Sequence, residues 1–416
     1  MSAFSTRSRS LKTAVTGIAT IAAAALVLTG CAPTAPEAPA ENLTLKIGTA
    51  LPQTGNLAFL GPPEEAGVAY ATNEINEAAK GITIDVVLGD SGDTDNKAYE
   101  TEIPRLLGEG VSAIIGAASS GTSLQFIDQV VGEGVIQFSP ANTSAELTTY
   151  DDNGLYWRTA PSDVLQGEVL GNLIAEDGHE TLGMIVLNDS YGTGLAGFTK
   201  EAFEAAGGTV VAEPLYNTGD TSFDAQISEV LAADPDAIAL ITFEEVKTII
   251  PDLVSQFPAE NLYFVDGNLA NFGDLFPAGT LTGAKGTLPG LSIDAISDFT
   301  AKVKAFWEGE GNPELTEFSY AAESYDAVVL LALASLAAGT TEGVDIAAKL
   351  REVSGGSGDG EKCTTFAECA DIINGGGVAD YDGISGPITF NEAGDPTEAS
   401  IGIYQYGEDN NYAAAK

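Results

Sequence analysis

The chain has 416 residues, 44% of them hydrophobic, which is long enough for two lobes of ordinary domain size. Acidic residues number 60 against 17 basic ones, and the formal net charge is −43. A surface of that sign repels nucleic acid and anionic lipid, and the single histidine, His179, removes most histidine-based metal and triad chemistry.

Arg7, Arg9 and Lys12 precede an apolar run, 14–28, that is interrupted by Thr16, Gly17 and Thr20. The run is too short and too broken for a membrane span and suits a secretory leader. It ends in Leu28-Thr29-Gly30-Cys31, which resembles a bacterial lipobox. The resemblance implies that residues 1–30 are removed and that Cys31 carries the lipid. Two or more acyl chains would anchor such a protein stably. Residues 31–42 then form the lipidated cysteine and a Pro/Ala-rich tether, and the folded part starts at Leu43.

From there strand-like and helix-like segments alternate. Strands are predicted at 43–51, 82–90, 111–117 and 135–140, with helices at 66–79, 97–110 and 123–134 between them. After YWRTAPSD (156–163) the rhythm restarts. Helices at 164–176, 196–206, 223–231 and 246–257 alternate with strands at 182–189, 209–216, 237–243 and 262–267. Short apolar runs between helices imply parallel sheets covered on both faces. Two such series predict an α/β fold of two doubly wound lobes. The run VVLLALASLAA (328–338) is too short for a membrane span and reads as a buried core helix. SGGSGDG (354–360) and NGGG (374–377) are turn-rich, and GPITFNEAGDPTEASIGIYQY (386–406) predicts a β-hairpin turning near Gly394-Asp395.

Four local patterns invite chemistry. DSYGTGLAGF (189–198) has the G-x-G-x-x-G spacing of a dinucleotide turn at Gly192, Gly194 and Gly197, with Glu213 downstream. Four residues separate the strand from Gly192, and Asp189 puts negative charge where a phosphate would sit, so the glycines are read as a tight turn behind Tyr191. DSGDTDN (90–96) lacks the spacing of a calcium loop and reads as a solvated turn. Cys363 and Cys369, six apart in an exported chain, read as a local disulfide, with free thiols or a two-ligand metal site as alternatives. Ser119 and Ser120 have no base placed beside them by any motif. No metal, cofactor or enzymatic activity is expected.

Taken together, IIGAASSGTSLQFIDQV, VIQFSPANTSAEL, YWRTAPSDVLQGEVL, NDSYGTG, YFVDG, FSYAAESYDAVVLL and SGPITFNEAGDP resemble the branched-chain amino-acid binding proteins of ABC importers. The same fold forms the ligand domain of metabotropic glutamate receptors. The resemblance implies a type I periplasmic-binding-protein fold, two lobes closing on a ligand, with crossovers near 158–162, 286–290 and 386–391. Lobe 1 would comprise 43–159 plus 288–386, and lobe 2 160–287 plus 387–416. Ser120 and Thr143, with Ser119, Ala141 and Asn142 beside them, match positions that hold a ligand carboxylate. Asp163 and Asp266 match positions that receive an ammonium, and Tyr191 matches an aromatic hydroxyl that covers the ligand. Helix N-caps, a turn residue and core packing are the competing readings for these residues. Phe59, Leu60 and Phe243 fall where the side-chain pocket is lined, with Glu244 and Tyr320 as further candidates. The Gly61-Pro62-Pro63 loop is expected to change that pocket's shape. No Lys or Arg stands there, which disfavours an acidic side chain and favours an apolar or aromatic one. The expected protein is thus a monomeric, lipid-anchored, extracytoplasmic binder delivering a small amino acid-like ligand to an ABC permease. A sensor of the same fold, or a binder of an amide, urea or aromatic acid, is the alternative.

Overall fold

The computed structural model describes residues 42–415; the expected leader, Cys31 and the tether up to residue 41 lie outside them. In the first lobe β1 (Leu43–Ala50), α1 (Gly61–Ala78), β2 (Ile82–Val87), α2 (Tyr99–Gly108), β3 (Ala113–Gly116), α3 (Ser120–Gly132), β4 (Ile136–Ser139) and β5 (Tyr156–Arg158) follow one another. The five strands are all parallel, in the order β2-β1-β3-β4-β5. Pleating sends alternate side chains to opposite faces. Ala113 and Ile115 therefore enter one core with Leu45 and Phe138, while Ile114 enters another with Ile103 and Phe126. Both faces are covered, which is why β3 is a short run buried throughout.

The second lobe repeats the plan. Its elements are α4 (Asp163–Glu176), β6 (Thr181–Leu187), α5 (Ser190–Ala205), β7 (Thr209–Ala212), β8 (Leu215–Tyr216), α6 (Asp224–Ala232), β9 (Ala237–Ile241), α7 (Val246–Val254), β10 (Leu262–Phe264) and β11 (Lys285–Pro289). The parallel order is β7-β6-β9-β10-β11, and β8 extends the pairing of β6.

The chain then returns to the first lobe through α8 (Ser297–Gly309), α9 (Ala321–Ala338), α10 (Gly343–Val353), β12 (Glu361–Cys363), α11 (Phe366–Asn374) and β13 (Ala379–Tyr381). The apolar α9 is long enough to cross a membrane, but 83% of it is buried within the lobe, against α1, α10 and α11. A Cβ at Gly67 of α1 would lie 2.2 Å from the carbonyl oxygen of Ala321, so only glycine permits this approach. Cys363 and Cys369 are joined in a disulfide between β12 and α11. Finally β14 (Ile401–Tyr406) and β15 (Tyr412–Ala414) add antiparallel strands to the second sheet beyond β11.

Three expectations need correction. The expected terminal hairpin does not form from its two apolar runs. Ile388 and Phe390 enter the first core, whereas Tyr404 and Tyr406 enter the second; around Gly394 only a short hairpin closes, Phe390 opposite Pro396 with the Asn391 and Thr397 N–H groups donating to the Asp395 and Thr389 carbonyls. The final passage between lobes therefore lies after Asp395, later than 386–391, and Leu288 and Pro289 belong to the second sheet. Next, α5 starts at Ser190, because the Asp189 side chain accepts the Gly192 N–H and caps it. The three glycines lie inside this helix instead of forming a turn; a Cβ at Gly192 would meet the Leu187 carbonyl at 2.1 Å, so that glycine seats the helix on the end of β6. Lastly, Pro62 and Pro63 open α1, where a missing N–H costs nothing, so Gly61–Pro63 is helix and not a pocket loop.

Candidate functional site

In each sheet the strand order reverses beside its first strand, between β1 and β3 and between β6 and β9. Loops at the carboxyl ends of such strands diverge and leave a crevice. The crevices of the two lobes face each other across one narrow cleft. Leu57, Leu60, Ala118, Ser119, Ser120, Ala141, Thr143, Tyr191, Phe243, Asp266, Gly267 and Tyr320 line it.

The first wall is built from the start of α3 and the loop after β4. Ser119 is the N-cap of α3, its hydroxyl accepting the Thr122 N–H at 3.2 Å. Ser120 is one residue further on and does a different job. Its hydroxyl accepts the N–H groups of Thr143 (3.3 Å) and Ser144 (3.2 Å), tying that loop to the helix. The helix N-terminus directs N–H groups and the positive end of its dipole at the cleft, a seat for an anion. Beneath the loop lies Arg158, fully buried. It pairs with Asp395 at 2.6 Å and donates to the carbonyls of Asn142 and Ser144. Asn142 itself faces away from the cleft. Its amide donates to the carbonyls of Ala117 and Ala118 and its oxygen accepts from Tyr156, so it braces the loop.

The second wall is acidic. Asp266, after β10, accepts from the Tyr191 hydroxyl (2.7 Å), the Gln166 amide (3.0 Å) and the Tyr320 hydroxyl (2.8 Å). Burial holds its carboxyl above the usual aspartate range, against those three donors. Asp163 is the first residue of α4, and Ser162 is the cap, so the capping reading of Asp163 does not apply. Asp163 is wholly buried; the Thr143 side chain is the donor beside its carboxyl, and neither oxygen has a well-formed hydrogen bond among the described residues. Burial first, then the charge of Asp266, raises its pKa well above the ordinary value. It does not line the cleft surface; it stands behind it, next to the Asp266 side. Tyr191 lies parallel to Phe243, ring centroids 5.3 Å apart, and accepts the Gly267 N–H.

At the apolar end the sequence was partly misleading. Leu57 and Leu60, three residues apart on one turn, both face the cleft, whereas Phe59 turns to a separate groove with Pro62 and Pro63. Glu244 pairs with Lys247 and brings no charge to the pocket. Leu57, Ala118, Gly267 and Gln166 were not anticipated; the spacing of Leu57 and Leu60 was the available signal for the first of them. Asp90 and Asp93 also do more than face solvent. Asp90 accepts the N–H groups of Gln53 and Thr54, and Asp93 that of Asn56, so together they brace the loop that carries Leu57.

Residues 44–369 match the family model described as periplasmic binding protein. A leucine-, isoleucine-, valine-, threonine- and alanine-binding protein of Pseudomonas aeruginosa is 32% identical over 46% of this chain, and the match spans about half (51%) of that relative. A Leu/Ile/Val-binding protein homologue of Brucella suis is 28% identical over 74% of the chain and 82% of its own length. Among solved structures, the leucine-binding protein LivK of Thermotoga maritima superposes with a TM-score of 0.72 at 22% identity, over 89% of this chain and 98% of that one. LivJ of Streptococcus pneumoniae, in complex with isoleucine, gives 0.71 at 21% identity, over 90% and 99%.

Proposed function

The chain belongs to the periplasmic binding protein family, and on that premise we propose that it captures a small zwitterionic amino acid with an apolar side chain between its lobes. It hands that ligand to an ABC permease, as a monomer held outside the membrane by a lipid on Cys31. The observation that carries the ligand assignment is the polarity of the cleft. A helix N-terminus with two serines and Thr143 faces the Asp266 carboxyl, and a second buried carboxyl, Asp163, stands behind that side of the cleft. An amino acid presents a carboxylate and an ammonium from one carbon, and both must be paired when buried. The carboxylate goes to Ser120, Thr143 and the start of α3, and the ammonium to Asp163 and Asp266. Tyr191 closes over them. Leu57, Leu60, Ala118, Phe243 and Tyr320 surround the side chain, which supports an aliphatic ligand of the kind named for the relatives. No group placed here supplies an activated nucleophile, which supports binding without turnover.

A thermal-shift screen of the mature domain against amino acids, amides and small carboxylates identifies the ligand. Calorimetry then compares L-leucine with 4-methylpentanoate, its deaminated counterpart. Loss of the ammonium leaves the acidic wall unpaired, so the acid should bind more weakly by about 2–5 kcal/mol, on the order of 30-fold or more. Equal affinity for the two would rule out a zwitterion seat.

A further inference from the structure

The acidic loop 90–96 and the first loop after β1 both approach the second lobe, Asp95 beside Gly219 and Leu57 and Leu60 in its core, and Asn56 hydrogen-bonds across to it. Its side-chain amide donates to Glu245 Oε1 at 2.5 Å, and its carbonyl accepts the Glu244 N–H at 3.2 Å. Two hydrogen bonds thus cross the mouth of the cleft from a single side chain and its own backbone. Asn56 is in turn fixed from behind, its N–H donating to Asp93 Oδ2 at 2.9 Å. The other oxygen of Asp93 accepts the N–H groups of Asp95 (2.9 Å) and Asn96 (2.8 Å), which anchors Asp93 in its own loop. On the far side, Glu245 Oε2 accepts the Phe243 N–H (3.1 Å) and the Tyr216 hydroxyl (3.2 Å). Both ends of this chain of bonds are one or two residues from the ligand pocket, because Leu57 follows Asn56 and Phe243 precedes Glu244.

From this arrangement we infer that Asn56 is a clasp that holds the two lobes shut over the ligand and sets the rate of release. The inference rests on the reading of the cleft as a solute site. The residue type follows from the surroundings. Closure brings the carboxylates of Asp93 and Glu245 to opposite sides of one position, and a donor there joins them, the backbone N–H to Asp93 and the side-chain amide to Glu245. Asn supplies that donor on a side chain short enough to keep its backbone carbonyl in reach of Glu244. The clasp is a positioning device and touches no ligand. It should therefore act on dissociation and leave encounter with the open cleft alone.

The test has two arms. In the first, stopped-flow kinetics follow L-leucine binding to the mature chain. Asn56→Ala should raise the dissociation rate constant about tenfold, a figure equivalent to one and a half ordinary hydrogen bonds, with the association rate and the melting temperature of the ligand-free protein unchanged. Asn56→Asp, which sets three carboxylates together, should raise it further. An unchanged dissociation rate in both variants overturns the clasp, and so does an equal loss in association rate. The second arm needs no ligand. Asn56→Cys combined with Glu245→Cys is exposed to mild oxidant, which accumulates even a minor closed population. A cross-link between positions 56 and 245, found by mass spectrometry, is the expected result, and its absence overturns the proposal. Should wild type fail to bind L-leucine, the amino-acid assignment is in trouble, while the cross-link still decides the clasp.

Discussion

The two walls of the cleft are built with opposite polarity. The first wall offers N–H groups, hydroxyls and a helix dipole, and keeps its one nearby full charge, Arg158, buried and already paired. The second wall offers carboxyls, of which Asp266 is satisfied by three neutral donors and Asp163 has no well-formed hydrogen bond. The difference lies in which groups each wall uses. A helix N-terminus gives an anion several donors at no cost in side-chain charge. A helix C-terminus could offer a cation its carbonyls in the same way, but the acceptor this wall presents is the Asp266 side chain, taken out of water. The first wall is therefore complete before the ligand arrives. In the proposed binding mode, the second wall gains its charge partner only when an ammonium enters.

That contrast predicts that damage to the first wall shows up in stability. The largest effect should come from Asp395→Ala. It leaves the Arg158 guanidinium buried without its carboxylate and should cost about 3–5 kcal/mol in urea denaturation. Affinity should fall with it, because Arg158 holds the carbonyls of the loop that carries Thr143. Asp395→Asn, which keeps an acceptor, should lie between. A variant as stable as wild type would mean that the first wall does not rest on this pair.

The second wall should answer in the opposite sense. Asp163→Asn removes the cost of burying an ionisable carboxyl and should stabilise the ligand-free protein at neutral pH by about 1–3 kcal/mol, while weakening amino-acid binding by about 2–5 kcal/mol. The pH dependence follows from the direction of the shift. The folded pKa of Asp163 is raised, so its contribution to stability is full below the unfolded pKa and is lost as pH rises through the folded one. Glu323, buried at the start of α9 and pushed up to about 8, acts in the same direction, and its contribution is lost as pH rises through that value. Urea melts from pH 4 to 9 should thus show declining stability in wild type and a shallower decline in Asp163→Asn. Ligand binding runs the other way, since an ammonium favours the ionised carboxylate. Affinity should rise with pH, and calorimetry in two buffers of different ionisation enthalpy should detect protons released on binding. A stable, fully binding Asp163→Asn would move the ammonium seat to Asp266 alone.

The sequence made most of this fold readable because the physics that shapes it is local. Parallel strands buried on both faces must be short apolar runs, and their alternation with amphipathic helices discloses two doubly wound lobes. The family resemblance assigned Ser120, Thr143, Tyr191 and Asp266 to the cleft, and the structure has all four lining it, a few residues past strand ends. What stayed hidden depends on pairings between distant segments. Nothing in SGPITFNEAGDP says that Asp395 reaches Arg158, or that Phe390 and Tyr404 enter different cores. The resemblance assigned Phe59 and Leu60 to the pocket and passed over Leu57, but the turn that aims each of them is braced by Asp90 and Asp93, two loops away.

The smallest predicted effect separates two neighbouring serines in the first wall. Both line the cleft, yet their hydroxyls are committed differently. Ser119 caps α3 through the buried Thr122 N–H, whereas Ser120 holds Thr143 and Ser144 and keeps its own hydroxyl proton to donate. Ser119→Ala orphans one buried donor and should cost about 1 kcal/mol of stability. Ser119→Gly should cost only a few tenths of that, since glycine adopts the cap conformation and lets water reach the freed N–H. Neither should change affinity by more than about threefold, because the helix dipole and the Ser120 hydroxyl remain. Urea denaturation and calorimetry on the two variants separate the roles. A Ser119→Ala protein that keeps its stability but loses ligand would make Ser119 the hydroxyl that meets the carboxylate, and the first wall would then be poised one residue earlier on α3.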